Sequence, residues 1–163
     1  MRLNNYVKLK DLHAVADNHP LLIDMVSSLL GPPIGQGTYR TVYEYALDPR
    51  FVIKVQSNQD EDPCNMWEYE IWNEAKWLTG NLEWIKNFLA PVHWISPGGM
   101  LLLMRRTEKR PNKKLPKYVP DFMTDIKEEN FGWMGSRFVC HDYAMPHRLL
   151  DFKDKARTAK WDK

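Results

Sequence analysis

The 163-residue sequence predicts an α+β fold: a small antiparallel sheet with a helix against it, followed by a strongly reduced second part. Three observations point there. Two stretches rich in strand-forming residues, 38–56 and 91–104, each carry a turn signal in the middle. Between them lies a segment with helical periodicity and one carboxylate on its apolar side. After residue 104 the chain turns charged and proline-bearing, with room for only short elements. Residues 1–163 form a single domain in this reading, 1–104 holding the N-terminal helix and sheet, 105–163 the reduced remainder.

The elements follow in order. Asn18 can cap a helix with Pro20 in its first turn, and Leu21, Leu22, Met25 and Leu29 recur at helical spacing. Gly31-Pro32-Pro33 ends it. A hairpin with a glycine-bearing start follows: Thr38, Tyr39, Thr41, Val42, Tyr43 and Tyr45 favour one strand, Leu47-Asp48-Pro49-Arg50 a turn, and residues 51–55 a second strand. Pro63 opens a helix running to about Leu78, with Gly80 as its stop. Trp67, Ile71, Trp72, Ala75 and Leu78 share an arc of about 140°, whereas Glu70, Asn73 and Glu74 fall outside it. Glu68 lies inside the apolar arc, where a carboxylate is costly unless a cation meets it. Cys64 and Met66 read as packing residues on the same helix.

Next come a short helix over 82–88 and two strands, 91–95 and 100–104, joined by Ser96-Pro97-Gly98-Gly99. Residues 105–120 read as a connector, 121–123 as a short helical piece, 138–140 as a short strand, and 148–160 as a closing helix.

Composition excludes several classes. Seven tryptophans and 44% hydrophobic residues give enough apolar surface for a core, which argues against disorder. A net charge of +2 is too slight for a dedicated nucleic-acid binder, and the basic runs at 109–117 and 148–163 read as solvated surface. Two cysteines, Cys64 and Cys140, suit a reduced compartment. With no signal-peptide core and no bilayer-length apolar run, the expected location is cytoplasmic, without a membrane partner. His141 and His147 lack the ligand spacing of a zinc site.

The residues at the joints form a series. GQGTYRTV (35–42) offers glycines that let a backbone approach phosphate closely. In FVIK (51–54), Lys54 is flanked by apolar strand residues. EYEIW (68–72) carries Glu68, with Glu70 and Glu74 as alternative partners for that lysine. DIKEEN (125–130) and HDYA (141–144) complete it. In this order the segments resemble the signature set of the protein-kinase-like superfamily, across residues 31–144. The shortened chain is similar to minimal serine/threonine-kinase-like proteins of prokaryotes and phages; phage origin would place it in a host cytoplasm.

The resemblance implies ATP and Mg²⁺ as cofactors. Gly35, Gly37, Val42 and Lys54 would surround the phosphates, with Glu68 orienting the lysine, and the backbone of Met104, Arg105 and Arg106 would border the adenine. Asp125 would accept the proton of an acceptor hydroxyl beside Lys127, while Asn130 and Asp142 would hold the metal. The acceptor would be a protein or a small molecule. The alternative is a pseudokinase that binds a protein partner without catalysis.

The sequence departs from the pattern in places. Arg40 stands at the third glycine, Met123-Thr124 replace His-Arg, and Tyr143 and Ala144 replace Phe and Gly. Only twenty residues separate Met104 from Asp125, and no peptide-binding platform follows. So small a second part buries little apolar surface. The N-terminal helix, the tryptophans or self-association would compensate.

Overall fold

The structure, a computed structural model, describes residue 24 and residues 26–57, 62–146 and 152–161. Most of the expected N-terminal helix lies outside these residues, although Asp24, Val26 and Ser27 are helical.

Five strands make one antiparallel sheet in the order β1-β2-β3-β5-β4. They are β1 (Leu30–Gln36), β2 (Arg40–Tyr45), β3 (Phe51–Gln56), β4 (Val92–Ile95) and β5 (Leu101–Arg105). The expected hairpin over 38–55 is present as β2 and β3, and β1, which was not expected, makes it a three-strand meander. Gly31-Pro32-Pro33, read as a helix stop, belongs to β1. Proline is tolerated there because β1 is the sheet's edge, where a missing N–H leaves no ladder bond unmade. The pairing is irregular around Pro33, with the register shifting on both sides of it.

Helix α1 (Cys64–Ala75) covers the sheet, and a 3-10 turn (Gly80–Leu82) leads into the short α2 (Glu83–Lys86). The helix ends at Ala75, before the expected Leu78, and Gly80, with a φ of 57°, opens the 3-10 turn instead of capping α1. Ile71 and Ala75 are fully buried, as the helical arc predicts, and so is Glu68.

The remainder holds two small ribbons. β7 (Phe131–Met134) pairs with β8 (Arg137–Cys140), and β6 (Tyr118–Pro120) pairs with β9 (Ala156–Thr158). Three expectations are corrected here. Residues 105–120 end in a strand. Residues 121–123 form a turn, in which the Met123 N–H donates to the Pro120 carbonyl at 3.1 Å. In place of a closing helix, residues 156–158 are extended, with residues 148–151 outside the described part. Pairing with β6 supplies hydrogen bonds that an isolated, highly charged helix of this length would not keep in water.

The two parts share one core, in which Val52, Ile71, Leu102 and Met104 continue into Val119, Ile126, Phe131, Val139 and Tyr143. The Cys140 N–H donates to the Phe88 carbonyl at 2.7 Å, and the Ala90 N–H donates to the Cys140 carbonyl at 2.8 Å, which docks β8 against the chain after α2. Trp161 stands edge-on to Phe131 and Phe138, and its indole N–H donates to the Pro116 carbonyl at 2.9 Å. Aromatic packing does here what additional helices do in larger folds. Among the described residues no helix is long and apolar enough to cross a membrane.

Candidate functional site

The site starts from an electrostatic necessity. Lys54 occupies the middle of the central strand β3, paired with Val42 on one side and Leu102 on the other, and is 2% exposed. An ammonium so placed needs an anion, and α1 lays Glu68 across it. Lys54 Nζ donates to both Glu68 oxygens at 2.9 Å and to the carbonyl of His141. Glu70 and Glu74, the alternative partners, lie elsewhere on the helix surface and are not fully buried.

Glu68 carries a second cation that the sequence reading treated only as a missing glycine. Arg40, first residue of β2, grips Glu68 with both guanidinium ends, Nη1 at 2.9 Å and Nη2 at 3.0 Å. Its Nη2 also donates to Asp142 Oδ1. Asn65, one helical turn before Glu68, accepts from Arg40 Nη1 at 3.4 Å. The Asn65 amide in turn donates to the carbonyls of Lys54, Gly99 and Met100. Two carboxylates therefore meet two cations. Burial alone would lower the Arg40 pKa, but Glu68 and Asp142 outweigh it and hold the guanidinium firmly charged. Burial likewise pushes the Asp142 carboxyl up, yet Lys54 and Arg40 prevail and leave it below the usual carboxylate range.

A second set sits across the cleft. Asn130 donates its amide to Asp125 Oδ2 at 2.9 Å, and Lys127 Nζ lies 3.2 Å from Asp125 Oδ1. The Asn130 carbonyl accepts from the N–H groups of His141 and Asp142, at 2.8 and 3.3 Å. The DIKEEN and HDYA segments are thereby tied to one another by backbone. The Tyr143 N–H donates to Glu68 Oε1 at 3.1 Å, completing the link between helix and loop. Asp125 and Lys127 are half exposed, so their pairing orients the carboxylate and adds little stability.

The walls of the cleft come from Gly35, Gly37, Val42, Lys54, Met104 and Asp142, among others, around a volume of about 690 Å³. This is the size of small-ligand sites, roughly 300–1,000 Å³. A Cβ added at Gly35 or Gly37 would meet only ordinary contacts, and neither residue has positive φ. The protein's own packing requires glycine at neither position.

Met104 is fully buried, while Arg105 and Arg106 are spent on other contacts. Their N–H groups donate to the Pro91 and Arg50 carbonyls, the Arg105 guanidinium lies over Phe51, and Arg106 pairs with Glu44. The next residue, Thr107, also lines the cleft. Its hydroxyl lies 2.9 Å from His141 Nδ1, and a side chain at Gly132 would come within 2.6 Å of its Cβ. Arg40, Asn65 and Thr107 were missed from sequence. Only Arg40 carried a readable signal, as an arginine inside a glycine turn.

His141, without the ligand spacing of a zinc site, has its pKa lowered to about 4 by burial first and by Lys54 second. His147 lies outside the described residues. A histidine kept neutral in the fold favours the native state only while the unfolded chain is also unprotonated. Stability is full above the ordinary value near 6.5 and declines as pH falls toward 4. The expected loss over that window is about 2 kcal/mol, allowing for partial exposure. Urea unfolding at pH 7 and pH 4.5 checks it: the difference should be smaller by about that amount in His141→Gln, and an equal loss in both proteins removes His141 as the cause.

Burial also raises the thiol pKa values of Cys140 and Cys64, so both are poor nucleophiles here. No protein-family model and no curated protein matches the chain.

Proposed function

We propose that this cleft binds Mg-ATP and that the chain transfers the γ-phosphoryl group to a hydroxyl of a protein or small molecule, as a shortened member of the protein-kinase-like superfamily. One observation carries the reading: Lys54, Asp125, Asn130 and Asp142, spread over much of the sequence, line one cleft beside a glycine-bearing turn, with Glu68 buried behind Lys54. A structural ion cluster has no use for the half-exposed Asp125 held by Asn130, or for glycines that packing does not demand.

In this reading the turn at Gly35 and Gly37 lets backbone approach the phosphates, and Lys54, aimed by Glu68, holds them. Thr107 follows the two amides already committed and borders the adenine edge. The residues present also fit Mg²⁺. Asn130 turns its N–H₂ end to Asp125, which directs the amide oxygen elsewhere, and Asp142 keeps Oδ2 beyond the oxygen that Arg40 holds. Among the described residues no three His, Cys, Asp or Glu side chains gather as a metal set, which suits a cation held by one or two protein oxygens plus phosphates and water. Bound there, the ion would neutralise charge on the phosphates. Asp125, oriented by Asn130 and Lys127, accepts the hydroxyl proton as the acceptor oxygen bonds to phosphorus and the bond to the ADP oxygen breaks.

The alternative, a binding module without phosphoryl transfer, is favoured by the absent His-Arg pair, the absent third glycine and the reduced second part, and by the occupation of Asp142 Oδ1 by Arg40. Calorimetric titration with ATP and Mg²⁺ tests the binding step. Lys54→Met keeps Glu68 paired through Arg40, so the fold survives, and affinity should drop at least ~10-fold. Equal affinity in wild type and Lys54→Met overturns the assignment of the cleft.

A further inference from the structure

We propose that Arg40 is a resident counter-cation of the phosphate cleft, supplying from the protein a positive charge otherwise brought by a metal ion, so that a nucleoside triphosphate binds with little need for a divalent cation. The inference rests on the nucleotide reading above and adds to it the source of charge.

Consider the site without Arg40. Lys54 faces two carboxylates, Glu68 and Asp142, leaving one net negative charge where a polyanion must enter. Such a site attracts a divalent cation and repels a bare triphosphate. Arg40 brings the group to two positive and two negative charges. It also occupies Asp142 Oδ1, which weakens the pull of that carboxylate on a free metal ion.

Arg40 is held in place from several sides. Its fork on Glu68 is bidentate, the pairing that a planar guanidinium makes best. Asn65 supports Nη1 and is itself fixed to three backbone carbonyls. The Arg40 carbonyl accepts the Gly37 N–H at 2.8 Å, so the same residue closes the glycine turn. Withdrawing the guanidinium would strip a fully buried carboxylate of one of its two cations. The cation therefore stays when a ligand arrives, on the wall that holds Gly35, Gly37 and Lys54. With its Nη hydrogens committed to Glu68, Asn65 and Asp142, the guanidinium acts on the phosphates through its charge, without releasing Glu68.

The test is calorimetry of the full chain with ATP, in excess Mg²⁺ and in EDTA. Wild-type affinity should differ by less than about 5-fold between the two, whereas Arg40→Ala should lose at least about 10-fold in EDTA and little in Mg²⁺. Arg40→Lys, which keeps a cation but loses the bidentate fork, should lose less than about 10-fold against wild type in EDTA. Titration of the nucleotide-free proteins with Mn²⁺, read by electron paramagnetic resonance, should show tighter binding in Arg40→Ala. Loss of wild-type affinity by about 10-fold or more on chelation overturns the role of Arg40 and leaves the nucleotide reading standing. No ATP binding by wild type under either condition overturns both. If Arg40→Ala does not fold, the wild-type and Arg40→Lys arms decide.

Discussion

Glu68→Gln lowers the unfolding free energy by about 3–5 kcal/mol, the range for breaking a buried ion pair by removing one partner. Glutamine matches the shape of glutamate, so packing around Ile71 and Tyr143 is preserved and the effect is electrostatic. Lys54 and Arg40 then share only Asp142, which is itself nearly half exposed. The Tyr143 N–H retains an acceptor in the amide oxygen, so the loss comes from the cations. Glu70→Gln and Glu74→Gln are the controls, with changes within about 0.5 kcal/mol expected at surface positions. Urea unfolding of the three variants reads the difference. A Glu68→Gln variant as stable as its controls would mean that the two cations find water instead, and the cluster would no longer hold the helix to the loop.

Asp125→Asn should cut γ-phosphoryl transfer by about 10²–10⁴-fold, the contribution of a positioned general base. Affinity for ATP should remain within about 2-fold, because Asp125 stands across the cleft from Lys54 and Arg40. The separation of the two effects carries the meaning. A residue that merely orders the loop would, when replaced, loosen Asn130 and weaken binding as well. Single-turnover transfer from γ-labelled ATP, set beside calorimetry, distinguishes them. Unchanged transfer would remove Asp125 from the chemistry and favour the binding-module reading.

Much of the cluster was legible because burial of charge is so strongly disfavoured. A glutamate inside an apolar arc and a lysine inside an apolar strand each predict a partner of opposite sign, and they proved to be each other's. The strands of the sheet were marked by turn chemistry on either side. The rest was hidden for identifiable reasons. Pro32 and Pro33 argue against a strand unless it is known to be an edge, which depends on the whole sheet. Gly132 conceals β7, because the lack of a side chain reads as a break when it serves to clear Thr107. Ala156-Arg157-Thr158 has no strand pattern of its own and is extended only because Tyr118–Pro120 offers a ladder. Arg40 was seen as an absence of glycine, and its partners, 28 and 102 residues away, are not a local property.

The clasp of Trp161 over Phe131 and Phe138 has a consequence for biogenesis. Its anchor on Pro116 spans 45 positions, so during synthesis Phe131 and Phe138 are made before the tryptophan that covers them. Through that interval the half-made protein presents two bare phenylalanine rings and an unmatched ribbon, the surfaces that chaperones bind and that invite sticking between nascent chains.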